Sequence, residues 1–526
     1  MAWKTSYRYV STILHRYDKF SPLAVIFGLV LVVFLWYLIT YQQSPLRKYP
    51  GPTLAGWTNG WRFYTAVAGK HAPIIKEVHD KYGPVVRTGP NLLELNIPSL
   101  IRTIYSTDGR WRKTDFYKNN GTVIDGNIFY NLFSETNPVK HAAMKRPIIR
   151  HYSISNVLAT EPLMDKVIDE LCGHLEKRFV ETGRLCCLDE WLKHFAWDFV
   201  SAVTLSKRFG YMERGYDFDG SQHIGDQAMD YLGIVGQMPW LDHWLDKNPI
   251  VHLGPPNLGN ATRIAAESLF RRLEGKDENF DPQKPDFMQY FIDSKASHPE
   301  VVDNATIISY LLLNLVAGTD TTAITMKALF YYCLRSPRAW TRLNEDVLAA
   351  KLDPAQTVSY SAAKSIPYLD AVARETMRVH PAASMTMERI VPDSGLALPD
   401  GSVVPGGATV GMNPYAIARN KDIFGANADE FIPDRWLQQE GEGDEKYQER
   451  MRLWNASDLR FGAGSRICIG RHLSQMELYK LVGTLITRYE IELVDATEEW
   501  KPVSRWFYRV DGGLTCKLRK RDSGHC

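Results

Sequence analysis

Apolar and polar positions divide the chain into one uninterrupted apolar stretch near the N terminus and a long body in which helical periodicity dominates. From Leu23 to Tyr41 the sequence LAVIFGLVLVVFLWYLITY runs for 19 residues without a charge. At 1.5 Å rise per residue such a helix spans roughly 28 Å, about one hydrocarbon core. Trp36, Tyr37 and Tyr41 lie towards its C-terminal end, where an aromatic belt would sit. A cleaved signal has a shorter apolar region followed by small residues. Here bulky residues follow, then Arg47 and Lys48. The pattern predicts a retained single-pass transmembrane helix over 23–41 after a tail, 1–22. Tyr49-Pro50-Gly51-Pro52 stiffens a hinge over 42–52, and 53–526 reads as one domain.

Within that domain helical patterns dominate after residue 70. Short strand-like runs occur at Val85–Arg87, Leu92–Leu95 and Val403–Val410. The expectation is a mainly α fold with a small β-rich subdomain. Polar, Gly- and Pro-containing stretches at 255–260, 274–285 and 438–446 read as surface loops. One helix stands out, from about Asn304 to Arg335, near 48 Å long. Asp303 or Asn304 can cap it and Ser336-Pro337 ends it. Its first half, Ile307–Val316, is apolar nearly all round, which means burial on all sides. Then Gly318, Thr319, Asp320, Thr321 and Thr322 follow one another. These poor helix formers cost together about 3 kcal/mol relative to alanine, and a charge enters an apolar helix. Apolar periodicity resumes at Ile324, Met326 and Leu329. The pattern predicts a functional break in mid-helix.

Lys plus Arg total 62 and Asp plus Glu total 60, so no global basic field exists to hold nucleic acid. The seven cysteines have no CxxC spacing, which argues against a zinc or thioredoxin-type site. A disulfide scaffold is foreign to a chain of this size. Cys468 differs from the others. It lies in Phe461-Gly462-Ala463-Gly464-Ser465-Arg466-Ile467-Cys468-Ile469-Gly470, just before an apolar-periodic helix running from Arg471 to Arg488. Glycines allow a tight turn with close backbone approach. The helix N-terminus favours a thiolate. One thiolate with no second cysteine suits an axial ligand to heme iron, and Arg466 could neutralise a heme propionate.

The stretch Phe461–Gly470 resembles the heme-ligand loop of the cytochrome P-450 monooxygenases, Phe-x-x-Gly-x-Arg-x-Cys-x-Gly, at every specified position. Three further motifs stand in family order. Ala317-Gly318-Thr319-Asp320-Thr321-Thr322 is similar to the oxygen-binding stretch, Glu375-Thr376-Met377-Arg378 to the Glu-x-x-Arg pair, and Phe431–Trp436 to the segment whose arginine joins that pair. The resemblance covers about residues 45–526. It is finest to fungal secondary-metabolite members of the pisatin demethylase-like group. It implies a cytochrome P-450 fold whose heme-thiolate catalytic domain fills 53–526, with heme b as cofactor and Cys468 as the iron's axial ligand.

By the same resemblance, Phe461, Gly464, Arg466, Gly470, Arg389, His141, Lys145, Ala317 and Gly318 contact the cofactor. His141 and Lys145 take the places of an earlier Trp-x-x-x-Arg motif. Glu375, Arg378 and Arg435 form a buried structural trio; Glu375 and Arg378 meet as an i, i+3 pair. Asp320 and Thr321 are the expected catalytic residues, an acid beside a hydroxyl that relays protons through water. Phe116, Phe133, Leu313, Asn314, Met385, Met387 and Phe507 are expected to wall an apolar substrate pocket.

The resemblance further implies NADPH-derived electrons from a separate NADPH-cytochrome reductase, with cytochrome b5 as a candidate second donor. It places the domain on the cytosolic face of the endoplasmic reticulum. Lys4, Arg8, Arg16 and Lys19 ahead of the span pull the other way, favouring a cytosolic N terminus. Two other readings remain open: a reductase-independent heme-thiolate isomerase or dehydratase, and a non-enzymatic heme or ligand binder. The pair Asp320-Thr321 speaks for oxygen activation.

Overall fold

A computed structural model describes residues 22–124, 127–251, 253–254, 259–497, 499–510 and 512–521. The expected tail over 1–22, save its last residue, most of the 255–260 loop, and Cys526 lie outside these residues. The apolar stretch forms helix α1, Pro22–Gln43. Its window is not buried against the rest of the protein. Its C-terminal end is anchored: Phe34 and Tyr41 stack on Trp57 at 6.1 and 5.2 Å between ring centroids. The Arg87 guanidinium lies 5.1 Å from the Tyr41 ring centre. The hinge is clamped as well. Arg87 N–H donates to the Pro50 carbonyl at 2.7 Å. A Cβ on Gly51 would lie 2.2 Å from the Arg87 carbonyl oxygen, so only glycine fits.

The β-rich part is a four-stranded sheet of β1 (Val85–Gly89), β2 (Leu92–Leu95), β3 (Arg389–Ile390) and β4 (Thr409–Gly411), ordered β1-β2-β4-β3. β2 and β4 run parallel; the other two pairs are antiparallel. The single run expected over Val403–Val410 is split. Val403–Val404 pairs with Leu396–Ala397, and Thr409 opens β4. Pro405-Gly406-Gly407 divides them, since proline cannot donate to a ladder and Gly407 has φ +79°. The acidic stretch 438–446 also differs. It ends at Gly443, and Asp444 opens a helix to Ala456, where Asp444 and Glu445 suit the positive N-terminal end.

The helical core is built from α2 (Leu188–Leu205), α3 (Ser221–Val235), α4 (Asn304–Leu334), α5 (Pro367–Val379) and α6 (Arg471–Arg488). The Asp303 carboxylate caps α4 by accepting from Thr306 N–H at 2.7 Å. The expected break in α4 is absent: the helix is continuous through Gly318–Thr322. The threonine hydroxyls bond back to carbonyls one turn earlier, Thr319 to Leu315 at 3.0 Å, Thr321 to Ala317 and Thr322 to Gly318 at 2.9 Å. Gly318 lets α2 come close, since a Cβ there would lie 3.2 Å from Val200 Cγ2. Tertiary packing thus overrides the local propensity cost.

A buried carboxylate ties α5 to the segment that precedes the cysteine loop. Glu375 is fully buried and accepts five hydrogen bonds. Oε1 takes Arg378 Nη2 at 2.7 Å, Ile432 N at 2.8 Å and Arg435 Nε at 2.9 Å; Oε2 takes Arg378 Nε and Trp436 Nε1, each at 2.8 Å. The arginines bind loop carbonyls in turn. Arg378 donates to Ala418, Ala428 and Glu430, and Arg435 to Phe424 and Asn427. Burial alone would raise the Glu375 pKa. The Arg378 hydrogen bonds and charge, Arg435 and the Ile432 N–H outweigh it and hold the carboxyl below its usual range. Its contribution to stability is therefore present above the unfolded carboxyl pKa of about 4.5 and is lost as pH falls through the depressed folded value. Glu375→Ala leaves two buried guanidinium groups without their counter-charge. It is expected to cost about 3–5 kcal/mol in denaturant unfolding of the holoenzyme. An unchanged unfolding midpoint would contradict this role.

Candidate active site

The Phe461–Gly470 loop is held by its own backbone and by Tyr105. Cys468 N–H donates to the Phe461 carbonyl at 2.8 Å. Gly464 has φ +63°, and a Cβ there would lie 1.7 Å from the Tyr105 carbonyl oxygen. That position admits no side chain. Gly470 has open space around it and an ordinary φ of −83° as the N-cap of α6, so nothing steric requires glycine there. Cys468 is exposed although protein surrounds it, so its sulfur faces an interior cleft. Burial pushes its thiol up, and the Gly470 N–H, Arg471 and Lys145 pull it only part of the way back.

Cations gather beside the loop. Arg466 Nη1 donates to the Glu135 carbonyl at 2.7 Å, while its Nη2 is buried without a hydrogen-bond partner. Lys145, at the end of the helix Pro138–Lys145, donates to the Ser465 carbonyl at 2.8 Å. Arg389 is buried, donates to its neighbour's carbonyl at 2.8 Å and lies 5.0 Å from the Tyr105 ring centre. Burial and then Arg389 bring Arg466 down to about 10. Burial, then Arg466, Lys113, Lys145 and Arg389, bring His141 down to about 3. Burial with several like charges close together marks a positively charged pocket suited to an anion.

Lys113 belongs to the same cluster and was missed in the sequence. It is buried, donates to the Phe133 carbonyl at 2.7 Å and sits 4.0 Å from the Tyr117 ring centre. Burial, Arg389 and Arg466 push its pKa well down. Its only sequence signal was an ordinary basic run, Arg110–Lys113. A lone thiol facing a cleft, an orphaned guanidinium nitrogen and a surplus of buried cations fit heme b, whose iron takes a thiolate and whose two propionates need cations.

α4 borders the cleft. Ala317 is exposed and Thr321 half-buried, although Val316, Thr319, Asp320 and Thr322 around them are buried. Thr322 lies 3.3 Å from Ser474 of α6, Oγ to Oγ, which joins α4 to the helix that follows Cys468. Gly318, expected at the cofactor, instead packs on Val200 of α2. Asp320 turns away from Thr321. It accepts from Trp197 Nε1 of α2 at 3.4 Å, and its Oδ2 is buried without a partner, 3.5 Å from the position a Cβ on Gly225 of α3 would take. Burial raises Asp320 to about 6. Lys193, the Trp197 N–H and Arg509 oppose the rise, and Asp226 adds to it. The structure therefore does not place the acid and the hydroxyl side by side.

Of the expected pocket residues, Phe116, Met385 and Phe507 join one apolar cluster with Tyr117 and Trp506, and Phe133 packs against it. From α4 the cluster takes Val316 and Ile324, with Leu312 packed alongside. Leu313 packs on the main helical core instead. Asn314 gives its Oδ1 to Tyr152 O–H at 2.5 Å, on the side of the helical core. Met387 packs on the sheet-side cluster, 3.9 Å from where a Gly462 Cβ would stand. On α4, then, Val316, Ile324 and Leu312 meet the aromatic cluster, and the expected Leu313 and Asn314 lie beside it on other faces of the helix.

A thiol-bearing loop before a helix, a buried cationic pocket and a long helix lining one cleft define the heme-thiolate class of oxygenases. Residues 50–515 match the family model Cytochrome P450, and the chain belongs to that family. It is 43% identical over 505 residues to the cytochrome P450 monooxygenase cfoH of Aspergillus candidus, covering 95% of this chain and 93% of that protein. It is 35% identical to cicH of Emericella nidulans, covering 88% and 91% respectively, and 29% identical to vrtE of Penicillium aethiopicum, covering 95% of each. The family uses heme b and receives its electrons from a redox partner, typically from NADPH.

The raised Asp320 pKa makes a testable statement about pH. Its folded value, about 6, lies above the ordinary 3.8, so the folded state holds the proton more tightly. Stability then falls as pH rises through that interval and stays lower above it. Asp320→Asn keeps an acceptor for Trp197 and removes the buried charge. The variant is expected to unfold at higher denaturant than the parent at about pH 7.5, by up to about 3 kcal/mol, with the gap closing near pH 4. A gap independent of pH would contradict the assignment.

Proposed function

We propose that this protein is a membrane-anchored monooxygenase of fungal secondary metabolism. It inserts oxygen into an apolar small molecule, using O2 and NADPH-derived electrons delivered by NADPH-cytochrome reductase, with cytochrome b5 as a second donor. The observation that carries the reading is Cys468, presented to the interior cleft that Ala317 and Thr321 of α4 border, beside buried cations. Heme b, when bound, supplies the one-electron and dioxygen chemistry.

The chain's own residues supply the rest. Cys468 ligates the iron. Arg466, whose Nη2 is free of protein partners, Arg389, Lys113 and His141 hold the propionates. Lys145 fixes the loop through the Ser465 carbonyl and keeps two ammonium hydrogens for the same anions. Asp320, near neutral in its titration, stores the proton. Thr321 presents its hydroxyl to the cleft while bonded to the Ala317 carbonyl. Aromatic and methionine side chains around Phe116 and Met385 exclude water and favour an apolar substrate. In the reduced holoenzyme, carbon monoxide is expected to give the far red-shifted Soret band of a thiolate ligand, and Cys468→Ser to abolish it. A variant that kept the band would remove Cys468 from this role.

The hinge 42–52 would join the 23–41 anchor to the catalytic domain over 53–526, on the cytosolic face of the endoplasmic reticulum. That face is the one a cytosolic reductase can reach, and it outweighs the charge count around the span. Protease added to sealed microsomes is expected to digest the domain; protection would place it in the lumen.

A further inference from the structure

Just past the C-terminal end of α3, beside the apolar cluster, the fold leaves the amide of Gln237 half-satisfied. Gln237 is 2% exposed. Its Nε2 donates to the Gly233 carbonyl at 2.9 Å and faces Met385 Sδ at 3.5 Å. The Gly233 contact fixes which end of the amide is nitrogen, because a carbonyl accepts only from a donor. Oε1 is therefore the other end, and it is buried with no hydrogen-bond partner.

Its surroundings are apolar. A Cβ on Gly236 would lie 2.5 Å from Phe116, and one on Gly233 would lie 2.5 Å from the Trp506 amide nitrogen. Phe116, Met385 and Trp506 are members of the cluster assigned above to the substrate. A buried acceptor without a donor is costly to keep, and native proteins hold few of them. At a binding site the ligand can supply the missing donor, and ligands lacking it are then discriminated against.

We infer that Gln237 is a specificity-determining residue whose Oε1 accepts a hydrogen bond from a hydroxyl group of the substrate, so that the preferred substrate class is an aromatic or polycyclic alcohol or phenol rather than a plain hydrocarbon or ether. Phe116, Phe133 and Trp506 pack on one another as an aromatic wall, and the amide oxygen fixes which edge of the molecule enters first. This rests on the monooxygenase reading, in which the cluster is the substrate wall.

The test uses full-length holoenzyme and two matched probes, 2-naphthol and 2-methoxynaphthalene, titrated against the Soret band. The parent is expected to bind the naphthol about tenfold more tightly than the ether, one hydrogen bond's worth of selectivity. Gln237→Met keeps the bulk, removes the amide and is expected to bring the ratio to about one, chiefly by weakening the naphthol. Gln237→Glu keeps the acceptor, loses the donor to Gly233, and is expected to retain selectivity. A Gln237→Met variant that weakens both probes equally would show that the amide only holds the end of α3, and would overturn the inference. So would an unchanged ratio, or a parent that responds to neither probe. Absence of a heme Soret band in the parent would instead defeat the monooxygenase reading itself, which keeps the two failures apart.

Discussion

The buried Glu375 carboxylate holds the site together more than any group that touches the chemistry. Its two oxygens accept five N–H groups from α5 and from the Phe431–Trp436 segment. The two arginines that approach it spend their remaining hydrogens on carbonyls of loops with little secondary structure of their own. A loop of that kind cannot satisfy its own backbone, and leaving buried carbonyls unpaired is expensive. The carboxylate keeps both guanidinium groups in place, and they in turn hold the loops. The segment then runs on through Asp444–Ala456 to Phe461 and the cysteine, so the sulfur's position inherits the rigidity of α5.

A second constraint is steric. Gly464 meets the Tyr105 carbonyl, Gly51 meets Arg87, and Gly318 meets Val200. In each case a missing side chain lets two pieces of backbone or core touch: the cysteine loop with the region after β2, the hinge with β1, and α4 with α2. These contacts fix the cysteine loop, the hinge and α4 against their neighbours. Close packing makes them unforgiving, since interiors transmit small volume changes.

Electrostatics divides the site into two unlike halves. On the loop side, burial first and then neighbouring positive charges lower the proton affinity of Arg466, Lys113, His141 and Lys145, with Arg389 buried among them. On the far side of α4, Asp320 is lifted towards neutrality by burial between α2 and α3. Buried cations beside the Cys468 thiol on one side and a proton-holding acid on the other match the polarity of the proposed oxygen activation.

The sequence by itself determined the apolar N-terminal helix, the long central helix, the cysteine loop and the carboxylate clamp. Each is written in a local pattern: an uncharged run of membrane length, an all-apolar helix, glycines at fixed offsets from a cysteine, and an i, i+3 ion pair. The tertiary structure decided what depends on neighbours distant in the chain. Continuity of α4 came from packing on α2, against the local propensity of Gly318–Thr322. Which side of α4 meets the aromatic cluster, through Val316, Ile324 and Leu312, could not be phased from a helix apolar all round. Lys113 and Gln237 looked like any surface residues until their surroundings made one a cation among cations and the other an acceptor without a donor. Burial has no signature in a single residue's identity, because it is a property of what the rest of the chain brings to that place.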